Sequence, residues 1–85
     1  MRTIKKICDV KPYTLTLQFD NDEIRRVDLK EDFRKWGESS DSKFKILLNP
    51  SEFCKVKLNE ELESIYWDNG IDLCPDVLWK KGTER

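Results

Sequence analysis

Histidine is absent from the 85 residues of this chain. Its absence removes the usual general base at neutral pH and the commonest metal-binding side chain. It also excludes the Ser–His and Cys–His pairs that activate nucleophiles in many hydrolases. Because no other catalytic constellation stands out either, we expect that the protein is not an enzyme.

Glycine and cysteine are scarce, with three residues of each. The glycines stand far apart, which excludes a glycine-rich phosphate-binding loop, and no motif predicts a cofactor. The cysteines, Cys8, Cys54 and Cys74, are widely spaced and odd in number, which fits neither a disulfide framework nor a zinc site. Reduced thiols are typical of the cytoplasm, so we predict a cytoplasmic protein.

Long apolar runs are also missing. The N-terminal segment MRTIKKICDV is charged throughout and lacks the apolar stretch of a signal peptide. No segment approaches the length of a membrane span. A chain of this size builds one core, so we predict a single domain over residues 1–85.

Neither sign of charge is in large excess, since 16 basic and 17 acidic side chains give a net charge of −1. Binding to nucleic acid normally requires a basic excess on one face. Basic residues near the two ends of the chain would supply such a patch only if the ends meet. These residues are Lys5, Lys6, Lys11, Lys80, Lys81 and Arg85. Nucleic acid is therefore an expected partner only through a local patch.

Alternating residues predict a β-hairpin in the N-terminal half. Every second residue of YTLTLQF is apolar, which is the pattern of a half-buried strand. A preceding strand, TIKKICDVKP, ends at Pro12, and DNDE forms the turn into a return strand, IRRVDL. In the return strand the alternation of apolar and polar residues is interrupted, because Ile24 and Val27 are three positions apart. We expect either a β-bulge at Arg25 and Arg26 or an inward-lying aliphatic stem of Arg26.

Two short helices are predicted next. Leu29, Phe33 and Trp36 have helical spacing in LKEDFRKW, with Asp28 as the N-cap and Gly37 as the stop. In LLNPSEFCKV, the asparagine is expected to cap a helix that begins at the proline.

The C-terminal half predicts further strands and a final helix. KVKL and ESIYW read as short strands, and the charged run NEELE between them indicates a solvated turn rather than a binding site. Asn69-Gly70 between apolar runs is the strongest short hairpin signal. Pro75 ends the next strand and begins a helix that stops at Gly82. The predicted fold is α+β, with a small antiparallel sheet of about five strands in hairpins and two or three short helices.

The stretch WDNGIDLCPDVLW holds the candidate functional residues. Asp68, Asp72 and Asp76 repeat every four residues, but the predicted turn, strand and helix start separate them, and the pattern does not match a calcium-binding loop. We therefore expect no metal site. Cys74 is the most tempting nucleophile, and the alternative is a small buried residue at a strand end. Asp72 is either functional or buried as an acceptor of backbone hydrogen bonds.

The tryptophans are candidates for the core and for a contact surface. Trp67 is expected in the core, whereas Trp79, near the end of the sequence, suits the core and a partner contact equally well. Together with Trp36 and Tyr66 they could instead form a stacking platform for bases.

Three blocks, YTLTLQFDNDEIRRVDL, LLNPSEFCKVKL and YWDNGIDLCPDVLW, resemble in this order a bacterial domain-of-unknown-function family, number twenty-four forty-two. The last block is the most specific. Its matching residues are Trp67, Asn69, Gly70, Asp72, Pro75, Asp76 and Leu78. The chain departs from the family at Asp22, where glycine is usual, at Arg26, where an apolar residue is usual, and at Trp79, where tyrosine is common. The resemblance implies a small α+β domain in its stand-alone form.

The resemblance also implies a regulatory setting, because some members are fused to helix-turn-helix DNA-binding domains and some look like partners in toxin–antitoxin-type pairs. We predict a non-catalytic protein-interaction or regulatory domain, in the manner of an antitoxin, that binds a protein partner through Trp79 beside Pro75 and Asp76. One alternative is a nucleic-acid-binding regulator. Another is a small ligand-binding protein or enzyme using Asp72, Cys74 and Asp76. The sequence does not predict the oligomeric state.

Overall fold

The computed structural model describes residues 2–38 and 42–84. These residues form antiparallel strands in two sheets, with short helices between them. The strands are β1 (Ile4–Lys11), β2 (Thr14–Phe19), β3 (Ile24–Asp28), β4 (Lys57–Asn59), β5 (Ser64–Tyr66), β6 (Asp72–Leu73) and β7 (Thr83–Glu84). The helices are α1 (Lys30–Trp36), a 3-10 helix (Lys43–Leu48), α2 (Pro50–Phe53) and α3 (Pro75–Lys81). The predicted α+β class is confirmed, but the strands are divided between two sheets. No described helix has the length and apolar character needed to cross a membrane.

The larger sheet, in the order β1-β2-β3-β7, is organised by the alternation in β2. Leu15, Leu17 and Phe19 lie on one face and are completely buried. The helices pack against this face, which we call the inner face. The polar residues between them lie on the opposite, outer face, where Thr16 is the most buried. The period-two pattern of the sequence therefore fixes which side of the sheet carries the core.

The interrupted alternation of apolar residues in β3 has a cause that the sequence did not predict. β3 pairs with β2 in continuous register, so the predicted bulge at Arg25 and Arg26 is wrong. Arg25 pairs with Leu17 and therefore lies on the inner face, whereas Arg26 is exposed on the outer one. The guanidinium of Arg25 donates to the carbonyl oxygen of Trp79 at 2.8 Å. An aromatic residue of α3 thus covers the charge that occupies an apolar position.

β1 carries the irregular register instead. The pairing with β2 shifts between Ile4 and Lys6 and again between Ile7 and Asp9. Because of the second shift, Ile7 packs against the core while the neighbouring Cys8 is exposed. β1 is also the outermost strand on its side of the larger sheet.

The helices begin close to the predicted positions. Asn49 caps α2 as predicted, because its side-chain oxygen accepts the N–H of Ser51 at 2.9 Å. α1 begins one residue later than predicted, with Leu29 at the N-cap position. Asp28 still accepts the N–H of Lys30 at 3.0 Å, so its carboxylate satisfies one of the free donors of the first turn. Phe33, Phe53 and Leu78 bring α1, α2 and α3 into one core.

The smaller sheet, in the order β4-β5-β6, contains the predicted hairpin between β5 and β6. The N–H of Gly70 donates to the carbonyl of Trp67 at 3.1 Å, and Gly70 has a φ of +94°. This is a type I turn followed by a bulge at a left-handed glycine. Asn69 accepts the N–H of Ile71 at 3.2 Å and donates to the carbonyl of Lys43 at 3.2 Å. It ties the turn to the 3-10 helix.

Candidate functional site

Four of the candidate residues predicted from the sequence have structural roles. Trp67 is 2% exposed, and its indole N–H donates to the carbonyl of Phe53 at 2.9 Å, which places it in the core as predicted. Asn69 and Gly70 form the turn described above. Pro75 is the first residue of α3, where its missing N–H costs no helical hydrogen bond.

Asp76 and Trp79 fasten α3 to the N-terminal segment and to β3. The carboxylate of Asp76 accepts the backbone N–H of Arg2 at 2.7 Å. The guanidinium groups of Arg2 and Arg25 lie 4.5 Å and 3.4 Å from the centroid of the Trp79 ring. Phe19 meets the same ring edge-on at 5.0 Å. The protein's own side chains therefore occupy much of the surface that the sequence suggested for a partner.

Cys74 is exposed at the N-cap position of α3, so the predicted alternative of a buried cysteine is wrong. Cys8 and Cys54 are exposed free thiols as well. Reaction with an alkylating reagent alone therefore cannot single out Cys74 as a nucleophile. Within residues 2–38 and 42–84, no three acidic or cysteine side chains come together as a metal site would require.

The aspartates of the motif fall in a turn, a strand and a helix start, as predicted. Asp68 forms an exposed ion pair with Lys57 at 2.8 Å, and this hydrogen bond holds the pKa of Lys57 above its usual value. Asp72 is exposed on β6, so the predicted alternative of a buried acceptor is wrong. Lys57, Tyr66 and Asp72 form one cross-strand row on the solvent side of the smaller sheet.

This solvent side forms a shallow concavity of about 220 Å³. We call its lining the Leu62 surface, which comprises Asn59, Leu62, Ser64, Tyr66, Trp67, Gly70, Ile71 and Asp72. Leu62 is 67% exposed, more than any other large apolar side chain in the described chain. Three of the candidate residues named from the sequence belong to this surface: Trp67, Gly70 and Asp72.

The turn between β4 and β5 holds Leu62 in this position. The side-chain oxygen of Asn59 accepts the N–H groups of Glu61 and Leu62 at 3.1 Å and 3.0 Å. Glu63 adopts a left-handed φ of +53°, and its carbonyl accepts the N–H of Ile4 at 2.8 Å. The turn is solvated, as its charge predicted, but the sequence interpretation overlooked its exposed leucine. The available signal was a lone apolar residue inside an acidic turn.

The outer face of the larger sheet forms a second concavity, of about 260 Å³. Two rows of residues cross it: Asp9, Thr16 and Arg26 in one, and Lys11, Thr14 and Asp28 in the other. Among the described residues, neither Lys11 nor Arg26 has a carboxylate within 4.0 Å. This face therefore offers two free cations beside threonine hydroxyls.

Two of the basic residues near the chain ends are held in ion pairs with different elements. Lys5 pairs with a carboxylate of the β2–β3 turn at 2.8 Å. Lys81 pairs with a carboxylate of α1 at 2.6 Å, and Lys80 is exposed. Lys6 lies opposite Gln18 in the pairing of β1 with β2, on the outer face of the larger sheet. Carboxylates thus already pair with two of the lysines on which a terminal patch would depend, and Arg85 lies outside the described residues.

Comparisons with known proteins support the family resemblance. The chain shares its fold with the solved structure of "Putative DNA Binding Protein NE0471 from Nitrosomonas europaea", with a TM-score of 0.73 and 21% identity. The similarity covers 95% of this chain and 48% of that one, so this chain spans about half the length of its structural relative. A comparison with curated proteins gave no significant match. The model of the family "Protein of unknown function (DUF2442)" matches residues 9–84, and the chain therefore belongs to the DUF2442 family.

Proposed function

We propose that this protein is a non-catalytic protein-interaction module that docks its partner on the Leu62 surface. The proposal rests on one observation: Leu62 is 67% exposed on a turn that Asn59 fixes by two hydrogen bonds. Single exposed apolar residues are ordinary on protein surfaces. Here, however, the leucine is held beside the half-buried ring of Tyr66, and tyrosine is enriched at protein interfaces.

Two further features support an interaction role. The surface lies on sheet strands and an anchored turn, so it is preorganised, and little conformational entropy is lost on binding. The motif residues around it are used by the fold, apart from Asp72, whose carboxylate is exposed. A regulatory role in a protein pair, in the manner of an antitoxin, is the finer form of this proposal.

Photo-crosslinking from Leu62 tests the docking site. We expect a photoreactive benzoyl-phenylalanine at position 62 to form a covalent adduct with one partner protein in the native cell, because the side chain would lie in the interface. Ile46, which is 52% exposed on the 3-10 helix, provides a matched control position. Mass spectrometry of the irradiated lysate would identify the adducts. The same adduct from both positions, or from position 46 alone, would contradict the proposal.

A nucleic-acid-binding regulator is a second candidate, favoured by the free cations Lys11 and Arg26 on the outer face beside Thr14 and Thr16. Antiparallel strands enter DNA grooves in some families of regulators. The name of the structural relative points in the same direction, although that chain is about twice as long. No comparable observation favours the enzyme alternative, since the fold uses Asp76 and Cys74 does not differ in exposure from the other thiols.

Titration with duplex DNA at increasing salt tests this second candidate. If the outer face contacts phosphates, binding should be strongest at low salt, and Lys11→Ala should reduce the slope of log affinity against log salt by about 1. Lys45→Ala, at an exposed position of the 3-10 helix, is the control and should leave the slope unchanged. No binding at low salt would eliminate this candidate.

A further inference from the structure

The apolar centre of the Leu62 surface has carboxylates around it that the protein does not neutralise. Glu60, Glu61 and Glu63 are the neighbours of Leu62 in the turn, and Asp72 lines the same concavity as Leu62; all four residues are exposed. Within the described chain, none of the four has a lysine or arginine nitrogen within 4.0 Å. The surroundings of Leu62 are therefore acidic, although the chain as a whole has a net charge of only −1.

Two nearby lysines are already paired elsewhere, whereas the ammonium group of a third, Lys43, lies beside Gly70 at the end of the concavity. Lys57 is bound to Asp68 at 2.8 Å, and Lys5 is bound to Asp22 at 2.8 Å. Both pairings hold the lysine pKa above its usual value, through a hydrogen bond to the partner carboxylate. The two lysines remain charged and engaged at neutral pH.

A separate depression of about 390 Å³ also lies beside the turn. It is lined by Ile4, Lys5, Asp20, Leu58, Glu60 and Glu63. Two apolar side chains and three carboxylates thus line this depression, and its one cation, Lys5, is paired with Asp22. This arrangement complements a segment that alternates apolar and cationic side chains.

The cross-strand row of the smaller sheet shows where such a cation fits. Tyr66 lies between Lys57 and Asp72 in this row, where facing side chains are about 5 Å apart at Cβ. Lys57 is already paired on its side, whereas the carboxylate of Asp72 is free. A guanidinium placed there would pair with Asp72 and cover the face of the Tyr66 ring at the same time. The planar guanidinium suits both contacts better than an ammonium does.

We infer that the partner docks on the Leu62 surface through a basic segment, with an arginine against Asp72 and Tyr66 and an apolar anchor against Leu62. This inference rests on the proposed function and specifies the chemistry of the partner. The apolar contact supplies binding energy, and the unpaired carboxylates select the charge of the segment.

Short synthetic peptides provide the test. A peptide alternating arginine and leucine would be titrated into the ¹⁵N-labelled protein, alongside versions with lysine for arginine, glutamate for arginine, and serine for leucine. We expect the arginine–leucine peptide to shift the amide resonances of Leu62, Tyr66 and Asp72. The lysine version should bind more weakly, and the glutamate and serine versions should not bind.

Substitutions at two exposed carboxylates test whether the arginine of the peptide contacts Asp72. Asp72→Asn should weaken the arginine–leucine peptide roughly fivefold, because one exposed charge pair is lost. Asp9→Asn, at an exposed position on the outer face of the larger sheet, should leave the affinity unchanged. Equal binding of the glutamate peptide, shifts confined to the outer face, or equal effects of the two substitutions would overturn the inference.

Different results would contradict the proposed docking site and the inference about the charge of the partner segment. If position 62 crosslinks to a partner through an acidic or uncharged segment, the docking site stands and the inference about charge falls. If position 62 gives no adduct and no peptide shifts its resonances, both fall.

Discussion

Replacement of Trp67 by alanine is expected to lower the free energy of unfolding by about 3–5 kcal/mol. The Trp67 ring is 2% exposed and lies 5.6 Å from the Phe33 ring and 5.7 Å from the Phe53 ring, centroid to centroid. Its removal would leave a cavity at the meeting point of α1, α2 and the smaller sheet. It would also leave the carbonyl of Phe53 without its indole donor. Since small domains are stable by only about 5–15 kcal/mol, this variant should be close to unfolding.

Urea denaturation followed by far-UV circular dichroism measures this loss, and Trp67→Phe separates its two causes. Phenylalanine retains most of the ring but not the N–H, so we expect a loss of about 1–3 kcal/mol from the unpaired carbonyl and the reduced volume. Trp36→Phe, at a half-buried position, is the control and should cost less. A loss below about 1 kcal/mol for Trp67→Ala would show that the three rings do not form the centre of the core.

Replacement of Trp79 by alanine is expected to destabilise the protein by about 2–3 kcal/mol, from lost burial, one aromatic pair and two cation–π contacts. The ring covers the guanidinium of Arg25 and meets Phe19, so its removal would expose a charge that lies on the inner face of the larger sheet. This differs from the role suggested by the sequence, in which Trp79→Ala weakens a complex without unfolding the domain.

Unfolding and crosslinking measured on the same variant distinguish the two roles. Trp79→Tyr keeps a flat ring over Arg25 and should recover most of the stability. If Trp79 has a structural role, crosslinking from position 62 should persist in the Trp79→Tyr variant. A stable Trp79→Ala variant that loses the position-62 adduct would instead restore Trp79 as the contact residue.

Local sequence signals predicted much of the fold because they depend on short-range physics. The alternation in β2 identified the buried face, since a strand turns successive side chains to opposite sides. Asn49 and Pro50 marked the start of α2, because a side-chain cap and a missing N–H both suit a first turn. Gly70 marked the hairpin, because its left-handed conformation is costly for other residues.

The features that were missed depend on contacts between distant segments. Arg25 occupies an apolar position only because Trp79, far along the chain, covers it. β7 pairs with β3 through the main chain of Thr83 and Glu84, and two residues carry no periodic pattern. The lone leucine in NEELE indicated exposure, but its fixed position could not be predicted, since it depends on the bonds that Asn59 makes and on how β4 and β5 pair.

The shifted register of β1 has a consequence for the behaviour of the protein at high concentration. The outermost strand of a sheet is a template on which a second chain can add a strand, and such additions lead to aggregation. The two register shifts make β1 a poor template, because they break the even spacing of its main-chain donors and acceptors. Lys5, Lys6 and Lys11 add exposed like charges along the same strand. The irregular edge strand thus protects the folded protein against edge-to-edge association.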